Sequence, residues 1–156
     1  MSVPGGSFVA LYGSNSGDWR ERVAAKLDDA GVAWFSPMDP RWSSINADNG
    51  DEMQSLVDAL VEREHAALER ATCVLFHLGR YVFRDNTITG HTTMALASRA
   101  ELGFLAGRGI ETVVHVEPDV EGRNYLWAVA NRYSHMTRVT TLDAAVARVI
   151  ERMRAK

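Results

Sequence analysis

Apolar positions along this chain fall into two alternating patterns. Short, nearly unbroken runs occupy residues 7–12, 32–35, 72–78 and 111–116, with a weaker one at 135–139. A run of this length, bounded by glycine, proline or polar residues, reads as a strand covered on both faces. Between the runs, apolar residues recur every three or four positions, as on one face of a helix. Trp19, Val23, Ala24 and Leu27 do so within 18–30, and Leu56, Val57, Leu60, Val61, Ala67 and Leu68 within about 53–70. Further helical segments are predicted at about 93–106 and 121–134, and at 141–154 with Leu142, Val146, Val149 and Ile150 inward. Gly31 suits the position just past a helix end, and Thr141 suits an N-cap.

Strands alternating with helices require parallel pairing through right-handed crossovers. Five such units predict an α/β domain spanning 1–156: a three-layer, doubly wound parallel sheet of about five strands, flavodoxin-like or Rossmann-like in plan. Ligands in that architecture sit beyond the carboxyl ends of the strands, near the switch in strand order. The working residues are therefore expected at 13–20, 36–42, 77–92 and 117–124. Two long irregular stretches, 37–53 and 79–92, fall at the same edge, where long loops tend to be functional.

Composition narrows the classes of partner. Seventeen Lys and Arg stand against 20 Asp and Glu, a formal charge of −3. Binding to a nucleic-acid polymer would call for a basic excess, so none is expected. No window approaches the roughly 18 consecutive apolar residues of a membrane span. The first residues, Met1-Ser2-Val3-Pro4-Gly5-Gly6, lack the basic and apolar regions of a signal peptide. With Cys73 as the single cysteine, no internal disulfide or multi-cysteine zinc site can form. The expectation is a soluble, cytoplasmic domain.

Three segments offer chemistry. Gly13-Ser14-Asn15-Ser16-Gly17-Asp18-Trp19-Arg20 follows a strand and opens a helix, where free amides favour a phosphate or another oxygen-rich ligand. It has neither the Walker lysine nor the dinucleotide glycine spacing. In Ser98-Arg99-Ala100-Glu101-Leu102-Gly103, helical spacing puts Ser98 one turn before Glu101 on the same side. Among small and apolar neighbours that carboxylate can be held rigidly and partly desolvated. On its own segment, though, the commoner reading is a solvated helix glutamate. Glu64-His65 lies in a charged neighbourhood typical of an exposed face, yet a carboxylate there, facing the sheet edge, can pair with Glu101 and divide labour with it. The five histidines have no helical metal-site spacing. His77 and His115 sit in apolar strands and read as hydrogen-bonded structural residues, and Cys73 as core. Trp34 reads as core, whereas Trp19 and Trp42 fall in the proposed working loops and are placed to stack on a planar ligand.

Taken together, several pieces resemble the nucleoside 2-deoxyribosyltransferase family, especially its short, divergent branch. They are Val9-Ala10-Leu11-Tyr12-Gly13-Ser14, Asp18-Trp19-Arg20, Trp34-Phe35-Ser36-Pro37 with the downstream Trp42, Glu64 to Leu75, and Ser98-Arg99-Ala100-Glu101-Leu102-Gly103. The similarity covers about residues 8–116. The chain departs from the family in carrying Glu64 where an aspartate is usual, and Thr72 where an aspartate commonly starts the third strand.

The resemblance implies cleavage or transfer of an N-glycosidic bond. In that reading Glu101 attacks C1′, and Glu64 orients the base or manages its proton. Ser98 hydrogen-bonds Glu101 or an oxygen of the sugar or phosphate. Gly13, Ser14, Asn15, Asp18 and Arg20 form the first-loop wall, with Trp19 or Trp42 against the base. Arg20 or Arg99 is placed to read a 5′-phosphate. The partner implied is a small-molecule nucleoside or nucleotide, with no metal and no redox cofactor. A homodimer or larger homo-oligomer is also implied, with Trp127, Asn131 and Arg132 at the interface. Two other readings fit the same scaffold: an NAD-cleaving glycohydrolase, and a nucleotide-binding sensor without turnover.

Overall fold

A computed structural model describes residues 3–14, 17–38, 50–79 and 96–155 of the chain. Among the described residues, five strands and five helices alternate: β1 (Val9–Gly13), α1 (Trp19–Asp29), β2 (Trp34–Phe35), α2 (Gly50–Arg70), β3 (Cys73–Leu78), α3 (Leu96–Arg108), β4 (Thr112–Val116), α4 (Arg123–Arg132), β5 (Met136–Val139) and α5 (Leu142–Arg154). The strands form one parallel sheet in the order β2-β1-β3-β4-β5. This is the three-layer, doubly wound plan expected from the sequence pattern.

The order decides where the helices go. From β1 the chain steps one way to β2, then crosses back over β1 to reach β3 and continues outward. Crossovers of one hand then place α1 on one face of the sheet and α2, α3 and α4 on the other. The two cores reflect this. Trp19, Val23 and Leu27 of α1 pack with Ala145, Val146 and Val149 of α5 against Val9, Leu11, Cys73, Leu75 and Val113. On the opposite face, Ala67 and Leu68 of α2, Leu102 and Leu105 of α3, and Leu126 and Ala130 of α4 cover Ala10, Tyr12, Val74, Phe76 and Val114. Alternation along each strand supplies both faces, which explains why the strands are apolar throughout.

The ends of the elements follow local chemistry. Gly31, at φ +67°, ends α1 in a Schellman turn: its N–H donates to the Asp28 carbonyl (3.0 Å) and that of Val32 to the Leu27 carbonyl (2.9 Å). Thr141 caps α5, its hydroxyl accepting from the Ala144 N–H at 3.1 Å. Some boundaries differ from expectation. Helix α2 begins at Gly50, inside the stretch read as loop, because polar residues and acids are compatible with a first helical turn. Helix α3 runs on to Arg108, whereas α4 is shorter than the 121–134 expected. The switch in strand order lies between β1 and β3, and the carboxyl ends of those strands carry the site.

Candidate active site

The turn after β1 is fixed mostly by main-chain bonds. Gly13 pairs with His77 across the sheet and has φ +127°. A Cβ there would lie 1.7 Å from the His77 carbonyl oxygen, so only glycine fits. The Ser14 N–H donates to that same carbonyl (2.9 Å), and the Ser14 hydroxyl accepts from the Gly79 N–H (3.0 Å), tying the turn of β1 to that of β3. The Ser14 carbonyl accepts from Trp19 Nε1 (2.8 Å) and from Arg20 Nη1 (2.8 Å), and the Gly13 carbonyl accepts from Arg20 Nη2 (2.9 Å).

Beside this turn lies a cavity of about 360 Å³, within the range of about 300–1,000 Å³ usual for small-molecule sites. Its polar wall consists of Tyr12, Arg20, Glu64, Ser98 and Glu101, contributed by β1, α1, α2 and α3. Pro37, Met38, Val61 and Phe104 form an apolar side, and His65 stacks on Phe104 with ring centroids 4.4 Å apart. The Tyr12 hydroxyl donates to the main-chain carbonyl of Glu64 at 2.9 Å, which fixes α2 against the end of β1. Ser98 is buried and Glu101 partly so, one turn apart on α3, as their spacing requires.

Desolvation dominates the electrostatics. Burial pushes the Glu101 carboxyl up to about 8; the charge of Glu64 adds to this and Arg20 opposes it. The same burial pushes the Arg20 guanidinium down to about 10, opposed by Glu101 and, more weakly, by Glu21 and Glu64. Tyr12 is held well above the ordinary phenol value by burial, then by Glu64 and Glu101. Among the described residues, the site thus gathers two carboxyls, a phenol and one guanidinium, with the His65 ring beside them, in a poorly solvated space. Such clustering of shifted groups in a cleft is a mark of catalytic sites.

The sequence candidates separate into groups. Glu101, Glu64, Ser98, Gly13 and Arg20 line the one cavity. Ser14 is buried next to it, with its polar atoms engaged in the turn. Trp19 departs from expectation: it is 4% exposed, packs in the α1–α5 core and lies 4.8 Å from the His77 ring, so it presents no face to a ligand. As the first residue of α1, its position on the apolar stripe sends it inward. Asp18 is exposed and pairs with Arg22 at 3.8 Å. Arg99 turns from the cavity and donates to the Glu121 carbonyl at 2.7 Å, so it is a tie to the start of α4 rather than a phosphate reader. Asn15 and Trp42 lie outside the described residues, as does most of the two stretches, 37–53 and 79–92, that the sequence reads as irregular. The guanidinium carbons of Arg123 and Arg138 lie 3.6 and 4.3 Å from the centre of the Trp127 ring, while Asn131 and Arg132 are exposed. Sequence reasoning missed Tyr12 as a wall residue. The available signal was its place one residue before Gly13, on the strand face opposite Leu11.

Among the described residues no group of three or more His, Cys, Asp or Glu could hold a metal ion, and no helix is long and apolar enough to cross a membrane. Paired carboxyls in a cleft suit acid–base or nucleophilic work.

Comparisons with known proteins agree with the fold. In fold, the chain is similar to a solved structure described as a conserved protein from Enterococcus faecalis V583, with a TM-score of 0.53 at 10% identity, over 96% of this chain and 98% of the other. No curated protein sequence matches. Residues 5–120 match the family described as nucleoside 2-deoxyribosyltransferase like, a stretch that contains β1 to β4 and every wall residue named above. By that match over most of its length, the chain belongs to the nucleoside 2-deoxyribosyltransferase-like family.

Proposed function

We propose that this protein cleaves or transfers the N-glycosidic bond of a nucleoside or nucleotide, with Glu101 as nucleophile and Glu64 as the proton-handling partner. The observation that carries the reading is the convergence of these two carboxyls, from α3 and α2, on one cavity at the switch point of the sheet.

The chemistry balances as follows. A Glu101 carboxylate oxygen forms a bond to C1′ as the C1′–N bond breaks through an oxocarbenium-like transition state. The electron pair stays on the base nitrogen, and the departing base takes a proton from the acid form of Glu64. Water or a second base then attacks C1′, gives its proton to Glu64 and releases the Glu101 carboxylate. Water gives hydrolysis, and a base gives transfer. Ser98, one turn from Glu101, is placed to hydrogen-bond the nucleophile or a sugar oxygen. The apolar side formed by Pro37, Met38, Val61 and Phe104 suits the face of a planar base.

The test is turnover with 2′-deoxynucleosides, deoxynucleotides and NAD, scored by chromatography for free base or nicotinamide. Release or exchange of a nucleobase is expected, falling by roughly a thousandfold or more in Glu101→Gln. Full activity in that variant overturns Glu101 as nucleophile. Release of nicotinamide alone shifts the substrate class to NAD.

A further inference from the structure

Arg20 lies outside the proposed reaction so far. It is 8% exposed, and its fork is anchored at both ends, Nη2 to the Gly13 carbonyl (2.9 Å) and Nη1 to that of Ser14 (2.8 Å). Its guanidinium carbon also lies 4.4 Å from the centre of the Trp19 ring, which is itself held by the Ser14 carbonyl. A guanidinium tied to the main chain in this way has little freedom to follow a ligand, so its charge is fixed with respect to the sheet. That fixed charge reaches the wall of the cavity that Glu101 also lines.

We infer that Arg20 is a positioning residue, an anchored counter-charge that keeps Glu101 available as a carboxylate, rather than a reader of a substrate phosphate. The inference rests on the reading of Glu101 as nucleophile. The polar and titratable groups that share the cavity wall with Glu101 are Tyr12 from β1, Arg20 from α1, Glu64 and His65 from α2, and Ser98 from its own helix. Burial and Glu64 both disfavour its charge, and Arg20 opposes them. The mutual effect appears at the other partner, where Glu101 is the largest influence supporting the charge of Arg20. The Gly13–Ser14 turn then has a second use: its two carbonyls aim the cation.

The experiment is a carbon-13 carboxyl titration of Glu101 by NMR in the wild type, Arg20→Gln and Arg20→Lys, alongside pH–rate profiles. Removing the charge should move the Glu101 midpoint up by about one pH unit or more, the scale on which an adjacent arginine acts on a carboxyl. The lysine variant should recover most of that change, and the acid limb of kcat/KM should move with the midpoint. An unmoved midpoint in folded Arg20→Gln overturns the inference. So does a loss confined to KM for 5′-phosphorylated substrates, which would make Arg20 a phosphate reader. Should Arg20→Gln not fold, the Arg20 Nε–H resonance of the wild type decides. It should step with pH at the Glu101 midpoint and lose that step in Glu101→Gln; no step in the wild type overturns the inference. Because the titrations need no turnover, they stand apart from the assay. Coupling with an active Glu101→Gln would sink the nucleophile and leave the ion pairing intact.

Discussion

At the scale of single residues, Glu101 carries opposed demands. A nucleophile must be ionised, yet burial and Glu64 push this carboxyl up to about 8. Below that value the acid form of Glu101 predominates, so the acid limb of kcat/KM should lie near 8 instead of near the 4.5 of an ordinary glutamate. A pH–rate profile with a non-titrating substrate checks this, and an acid limb near 4.5 would contradict it. The two carboxyls were legible as candidates mainly through the family resemblance: on its own segment Glu101 reads more commonly as a solvated helix glutamate, and Glu64 lies in a charged neighbourhood typical of an exposed face. What drew them together was not legible. Tyr12 reads as core in a run such as Val9-Ala10-Leu11-Tyr12, and only the paired strands show its hydroxyl reaching the Glu64 carbonyl. Trp19 carries two readings, as part of the α1 apolar stripe and as a ring facing the working loop; the first holds, because helix α1 starts at Trp19 and its first inward position is this side chain.

At the scale of elements, the turns of β1 and β3 act as one unit. Gly13 and Ser14 bind the His77 carbonyl and the Gly79 amide, so the two strands cannot move apart without disturbing the cavity wall. Gly13→Ala combines an unfavourable φ with a collision against main chain, and no flexible side chain can yield there. It should cost more than about 1 kcal/mol in urea unfolding and lower activity as well. Thr141→Ala removes the α5 cap, far along the chain on the other face, and should cost a similar ~1 kcal/mol with kcat/KM unchanged. Equal loss of activity in both variants would deny the β1–β3 turn its special place. Element identities were legible because strands covered on both faces are apolar throughout, whereas helices α1 and α5 bury a single stripe. Boundaries were less so: polar residues suit a loop and a helix start equally, which is why α2 starts at Gly50 rather than near Met53.

At the scale of the whole molecule, buried titratable groups on the two faces of the sheet make opposite contributions to stability. On the α1–α5 side, His77 and His115 lie across β3 and β4 with their rings stacked and their Nδ1 atoms 2.8 Å apart, so one ring donates a proton and the other accepts it. Burial, followed by His115, Arg20 and Arg22, pushes His77 from 6.5 down to about 3, and burial also lowers His115. The unfolded chain therefore binds more protons than the folded one below about 6.5, and stability falls as pH drops from there toward 3. On the cavity side Glu101 behaves in the reverse sense. Its folded value of about 8 exceeds the ordinary 4.5, so its contribution is full below 4.5 and is lost as pH rises through 8. Between 4.5 and 6.5 His77 offsets Glu101, and the lowered His115 tips the balance toward the histidines; above 6.5 the glutamate acts alone. From these groups, unfolding free energy should peak near pH 6.5 and decline on both sides. Urea melts across pH 4–9 measure the curve, and Glu101→Gln should abolish its alkaline decline while leaving the acid side in place. A variant that kept the decline above pH 6.5 would show that the strain of holding Glu101 charged lies elsewhere, and with it the link between the cavity's chemistry and the stability of the fold.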